Sequence, residues 1–108
     1  MTACSALRFY IHENRKLHGA LFYDWLLEEA RRNGVHGGSA FRAIAGYGRH
    51  GVVYEPHFFE LAGQSTVVVE FLLADAEADA MLARLRAEKV SVFFCRYPVE
   101  LGVTRQDA

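Results

Sequence analysis

"STVVVEFLLA", residues 65–74, has the β-branched and aromatic content of a strand, and no other stretch of the chain states its structure so plainly. Val67, Val69, Phe71 and Leu73 fall on one parity. Val68 and Leu72 fall on the other, so this strand offers apolar side chains to both faces of its sheet. Upstream, "ALRFYIHE" (6–13) alternates Leu7, Phe9 and Ile11 with Arg8, Tyr10 and His12, again at strand period. "ENRKLHG" reads as a polar loop. "ALFYDWLLEEARRNG" (20–34) then changes to helical period. Phe22, Leu26 and Ala30 share a face, Tyr23 and Leu27 flank it, and Asp24, Glu28, Arg31 and Arg32 lie opposite. Gly34 is placed to end that helix as a left-handed cap. "SAFRAIAGYG" (39–48) is a strand of small residues.

Downstream of the central strand, Asp75 is placed to cap a helix running to about Glu88, with Ala78, Leu82 and Leu85 on its inner stripe. "VSVFFCRYPVEL" (90–101) is the last strand, and Pro98 marks its frayed end or a sheet edge. "GVTRQDA" (102–108) is a polar tail. The order βαββαβ predicts an α+β ferredoxin-like sandwich, a four-stranded antiparallel sheet with both helices on one face. A single domain over 1–108 follows, its core spanning about 6–101. The first strand then lies between the third and fourth.

A sheet covered on one side should be polar on the other. This one is not: the last strand carries Val92 and Phe94 on one parity, and Phe93, Cys95 and Tyr97 on the other. Together with Val68 and Leu72 these make an apolar patch of roughly several hundred Å², a size that marks an interface. The pattern predicts an oligomer of this chain.

Bulk properties exclude more than they assign. With 108 residues, 52% hydrophobic, 23% charged and a net charge of -1, the chain offers no electrostatic case for nucleic acid or an anionic membrane. The third strand has no match to an aromatic RNA-binding motif. No apolar run reaches the ~20 residues of a membrane span, and "MTACSALRFY" lacks the layout of a signal peptide, so a cytoplasmic location is expected. Cys4 and Cys95 show no metal or CxxC spacing and read as reduced packing residues. Neither has an identifiable base partner, no serine sits in a nucleophile elbow, and Glu28/Glu29 read as helix solvation.

The remaining chemistry gathers in "GYGRHGVVYEPHFFELAGQ" (46–64). Its residues 49–64 make a connection far longer than the ~2–5 residues of an ordinary hairpin. "GYGR" brings backbone N–H groups close to a guanidinium, an arrangement that can nest an anion, although glycines leaving a strand also serve simply to turn it. Tyr54, Phe58 and Phe59 suit either packing on a neighbouring copy or contact with a partner. His50 and His57, with Glu55 and Glu60, make a metal conceivable, but their spacing matches no established ligand pattern.

Beyond the physics, "LRFYIHENRKLHGALFYDWLLEEARRNGVHGGSAFRAIAGYG" resembles the first half of an uncharacterised prokaryotic family, domain-of-unknown-function family 190, described as PII-like. The family pattern runs L-R-x-Y-I, a polar loop, a helix ending Ala-Arg-x-x-Gly, then G-A-T-V-x-R-G-I-x-G-[FY]-G. Gly38, Arg42, Ile44, Gly46, Tyr47 and Gly48 fall on it, while Ser39, Ala40 and Ala43 depart mildly. "STVVVEFLLADAEADAML" resembles its third strand and second helix. PII proteins and CutA are trimers of ferredoxin-like subunits, so the resemblance implies three sheets around an axis. It also implies an adenine-nucleotide cleft between subunits, at the base of a partner-binding loop. "GYGRHG" aligns with that base. One departure stands out: where PII proteins have a glycine- and lysine-rich phosphate loop, this chain has "RAEKVSV" (86–92), with Lys89 its only lysine. A triphosphate is therefore disfavoured against a smaller anion. Tyr54 does not match the modified tyrosine of PII proteins.

The expectation is a cytoplasmic, homotrimeric, PII-like regulatory protein with no catalytic or metal-binding residues and no cofactor beyond a candidate adenine nucleotide. Gly46, Tyr47, Gly48, Arg49, Lys89 and Arg96 would hold a small anion. The 49–64 loop would present Tyr54, Phe58 and Phe59 to a protein partner such as a transporter or enzyme. The alternatives are a CutA-like metal-binding trimer using His50 and His57, and a small enzyme of the same fold.

Overall fold

A computed structural model of the chain describes residues 2–47, 53–54 and 65–105. Strand β1 (Cys4–His12) leads into a small hairpin, β2 (Lys16–Leu17) and β3 (Ala20–Leu21), then helix α1 (Phe22–Arg32). Strand β4 (Gly38–Arg42) is followed by short strands β5 (Gly46–Tyr47) and β6 (Val53–Tyr54). The chain continues through β7 (Thr66–Ala74), helix α2 (Asp75–Ala87) and β8 (Phe93–Val99). The main sheet has the order β4-β7-β1-β8, and every neighbouring pair is antiparallel. This is the predicted ferredoxin-like arrangement, with β1 between β7 and β8.

Alternation along β1 and β7 decides which side chains form the core. Leu7, Phe9 and Ile11 lie opposite Phe71, Val69 and Val67, and all six are buried. Phe22, Leu26 and Ala30 of α1 and Ala78, Leu82 and Leu85 of α2 close over them. The Phe9 and Phe71 rings meet edge to face, centroids 6.3 Å apart, a favoured geometry for aromatic pairs. Gly38 lets α1 approach this layer, because a Cβ there would meet the Phe71 ring at 2.9 Å and Leu27 at 3.2 Å.

Several details differ from the sequence reading, among them the end of the last strand at Val99 rather than Leu101. The "polar loop", together with Ala20 and Leu21 from the stretch read as helix, forms the β2–β3 hairpin, turned by His18 (φ 52°) and Gly19 (φ 79°). Positive φ at both central residues is what a type I′ hairpin turn requires. The second strand ends at Arg42 because its partner β7 begins at Thr66; the last rung is Ala43 N–H to the Thr66 carbonyl, 2.9 Å. Val90–Val92 precede the last strand, since β1 offers Tyr10 as the partner of Phe93 and Val90 N–H instead closes α2 onto the Leu85 carbonyl, 3.0 Å. Finally, Asp75 is the first residue of α2 rather than its cap. The Ala74 N–H donates to the Glu77 carboxylate at 2.9 Å, and the Asp75 carboxylate turns to Ser5. Gly34, at φ 86°, does end α1 in the left-handed conformation predicted for it.

Candidate functional site

The arm that leaves the sheet is built from a ladder running out of partners. Beyond Ala43 the chain bends at Ile44–Ala45 and enters β5, which pairs antiparallel with β6: Gly46 faces Tyr54, and Tyr47 faces Val53. These two strands form a sheet of their own, separate from the main one. Ile44 is 78% exposed and Tyr47 72% exposed, so the arm starts with two large apolar side chains in solvent. The Arg42 guanidinium lies 2.5 Å from the Glu13 carboxylate, tying the base of the arm to the end of β1. Gly46 and Tyr47 are thus placed on the arm, and Tyr54 is aligned with Gly46 through the backbone. Gly48, Arg49, Phe58 and Phe59 lie outside the described residues, as do His50 and His57. Among the described residues, no three His, Cys, Asp or Glu side chains gather as metal ligands.

Lys89 and Arg96 start from the other edge. Lys89 adopts φ 59° just past α2, its N–H on the Arg86 carbonyl at 3.0 Å, and it leads the chain toward β8. Arg96 lies on the helix side of β8 and is already engaged. Its Nη1 donates to Asp79 at 2.7 Å, its Nε to the Ser5 hydroxyl at 3.3 Å, and its Nη2 to the Asp75 carbonyl at 3.3 Å. The Asp79 carboxylate raises the Arg96 pKa further above its ordinary value. Ser5 in turn donates to the Asp75 carboxylate at 2.5 Å, joining β1, α2 and β8 in one polar cluster. β4 and β8 are separated by two strands, three spacings or roughly 14 Å. A single chain therefore does not gather the arm and Arg96 into one site.

On the open face of the sheet, Leu72, Phe93 and Tyr97 are exposed as the sequence predicted, Val68 and Cys95 are half-buried, and Tyr10 and Phe41, also exposed, join the patch. The Tyr10 and Phe93 rings lie 5.6 Å apart. At the centre, register partners Arg8 and Glu70 form an ion pair of 2.6 Å, and Glu70 raises the Arg8 pKa. The Tyr10 hydroxyl is 4.0 Å from the Cys95 sulfur, and burial, followed by Cys95, pushes its pKa up. Cys95 sits opposite Arg8, four residues along β1 from Cys4, and both thiols are free. That spacing, roughly 13 Å, excludes a bond between them in this fold.

Sequence reasoning missed a cavity of about 270 Å³ between the two helices. Trp25, Ala30, Val35 and Met81 line it, and Arg84 crosses its rim to Glu29. Trp25 and Met81 fall outside the inner stripes of their helices; two large apolar residues so placed were the signal available.

The chain matches the DUF190 family, described as "Uncharacterized ACR, COG1993", over residues 4–99. It is similar to a UPF0166 protein of Aquifex aeolicus, with 33% identity over 82 residues, covering 76% of this chain and 78% of the relative. A UPF0166 protein of Methanocaldococcus jannaschii is 28% identical over 85 residues, covering 79% of this chain and 78% of the relative. Among the described residues, no helix is long and apolar enough to cross a membrane.

Proposed function

The chain belongs to the DUF190 family, and from that premise we propose that it is a PII-like regulatory protein acting as a homotrimer. Three copies pack their open sheet faces together. A small anion, with adenine nucleotides the first candidates, binds between copies, held by the Gly46–Arg49 backbone and the Arg49 guanidinium of one and by Lys89 and Arg96 of the next. The 49–64 loop, with Tyr54, Phe58 and Phe59, contacts a protein partner such as a transporter or enzyme.

The observation that carries this reading is the open face itself. It holds five large exposed apolar side chains around an ion pair that is already neutralised, so a second copy can cover it without burying an unpaired charge. Separation of the arm from Arg96 also supports a cleft shared by two copies, since one chain leaves them at opposite edges.

Two measurements test it. Calorimetric titration with AMP, ADP and ATP is expected to show one site per chain, occupied more tightly by the smaller nucleotides than by ATP, and an Arg49→Ala substitution to weaken it. If none of the three binds at millimolar concentration, the nucleotide reading fails. Mass measurement by light scattering tests the assembly separately, and a monomer at every concentration removes it.

A further inference from the structure

The two edges of the main sheet are unequal, and the register says why. Ala43 N–H bonds to Thr66 and Leu72 N–H to the Gly37 carbonyl, so residues 37, 39, 41 and 43 direct their backbone groups inward to β7. Gly38, Ala40 and Arg42 therefore direct theirs outward, where no described residue meets them. By the same alternation, Glu13 N–H on the Ser65 carbonyl sets the β1–β7 phase, and Phe94, Arg96 and Pro98 face outward from β8. The β8 edge is thus blunted by a proline at an outward position, a recognised defence against strand addition. Among the described residues, the β4 edge has no such defence. Gly38, Ser39 and Ala40 are small and exposed, and the one charge, Arg42, is folded back onto Glu13.

Residues 100–105, "ELGVTR", follow β8, belong to neither helix nor strand, and lie beyond the family match. Leu101 and Val103 alternate with Gly102 and Thr104, and both apolar side chains are exposed. Six residues as a strand reach roughly 20 Å, enough to cover the five of β4. They cannot do so in their own chain, because crossing from the β8 edge would consume roughly 14 Å of that reach.

We propose that the β4 edge is a strand-addition site whose occupant is the 100–105 segment of a second copy. The added strand pairs with the outward N–H and C=O groups of Gly38, Ala40 and Arg42. Leu101 and Val103 then extend the apolar open face beside Phe41.

Full-length variants mixed in pairs test this by amide exchange. In the wild type, the Gly38, Ala40 and Arg42 amides are expected to exchange at least about tenfold more slowly than after dilution to monomer. An Ala40→Pro chain has a spoiled edge and an intact segment; residue 40 gives no hydrogen bond to β7, so its own ladder survives. A Leu101→Lys/Val103→Lys chain has the opposite defect and is expected to lose the protection. Adding the Ala40→Pro chain to it should restore protection of its edge amides, which needs two different molecules. Fast exchange of these amides in the wild type overturns the proposal. So does protection that survives the two lysines, because the edge is then filled by something else. In either case light scattering reports the open-face assembly independently.

Discussion

The same two strands, β1 and β7, carry apolar side chains on both faces, and the helices of the chain cover only one of them. On the helix side, Leu7, Phe9, Ile11, Val67, Val69, Phe71 and Leu73 are buried to within a few per cent. On the other side, Tyr10 and Leu72 remain exposed, with Phe41, Phe93 and Tyr97 alongside. The difference lies in what holds each face when nothing lies over it. The covered face depends on two helices and on a glycine that lets one of them close in. The open face organises itself, with an ion pair at its centre and a tyrosine beside a thiol. Side-chain alternation decides which residues share a face; coverage depends on elements elsewhere, in this chain or another.

Substitutions on the two faces sharpen that contrast. Phe9→Ala removes a fully buried ring between Phe71 and Phe94 and is expected to cost about 3–5 kcal/mol in urea unfolding. A cost below ~1 kcal/mol would mean that the helix side is not the core. Gly38→Ala drives a methyl into the Phe71 ring and should cost about 1–3 kcal/mol, with the fold retained. Leu72→Asp on the open face is expected to change the stability of the dissociated chain by no more than about 0.5 kcal/mol. Its signature is different: the wild-type urea midpoint should rise with protein concentration, and that of Leu72→Asp should not. Equal concentration dependence in both proteins would show that Leu72 is not in the interface.

The smallest effect belongs to Tyr10. Its pKa is raised above the ordinary 10.0 by burial, so the folded state favours the protonated hydroxyl. That contribution is fully present below the ordinary value and is lost as pH rises through the raised one. Alkaline titration at the tyrosinate absorbance should show one group ionising late, absent in Tyr10→Phe. A second copy over the face would move it later still.

Much of this was legible from the sequence because burial here follows period. The parity of Leu7, Phe9 and Ile11, the stripe of Ala78, Leu82 and Leu85, and the cap at Gly34 each follow from local rules. What was not legible depended on partners distant in the chain. The second strand stops at Arg42 because β7 starts at Thr66. Asp75 leaves its capping role because Ser5 and Arg96 compete for its carboxylate. The candidate site was readable as a list of residues but not as a place. Composition could not say that the arm bearing Gly46 would leave from one edge of the main sheet while Arg96 lies on the other.

Arg96 carries one more consequence. Three of its nitrogens already donate, to Ser5, Asp79 and the Asp75 carbonyl, and those bonds fasten β8 to the start of α2. An anion that recruits this guanidinium competes with Asp79 for it. Ligand occupancy and the anchoring of the last strand are then rivals for one side chain, and a regulator could turn that rivalry into a signal. Ionic strength enters the same contest, since salt weakens the Arg96–Asp79 pair at the surface and the anion's hold on Arg96 together.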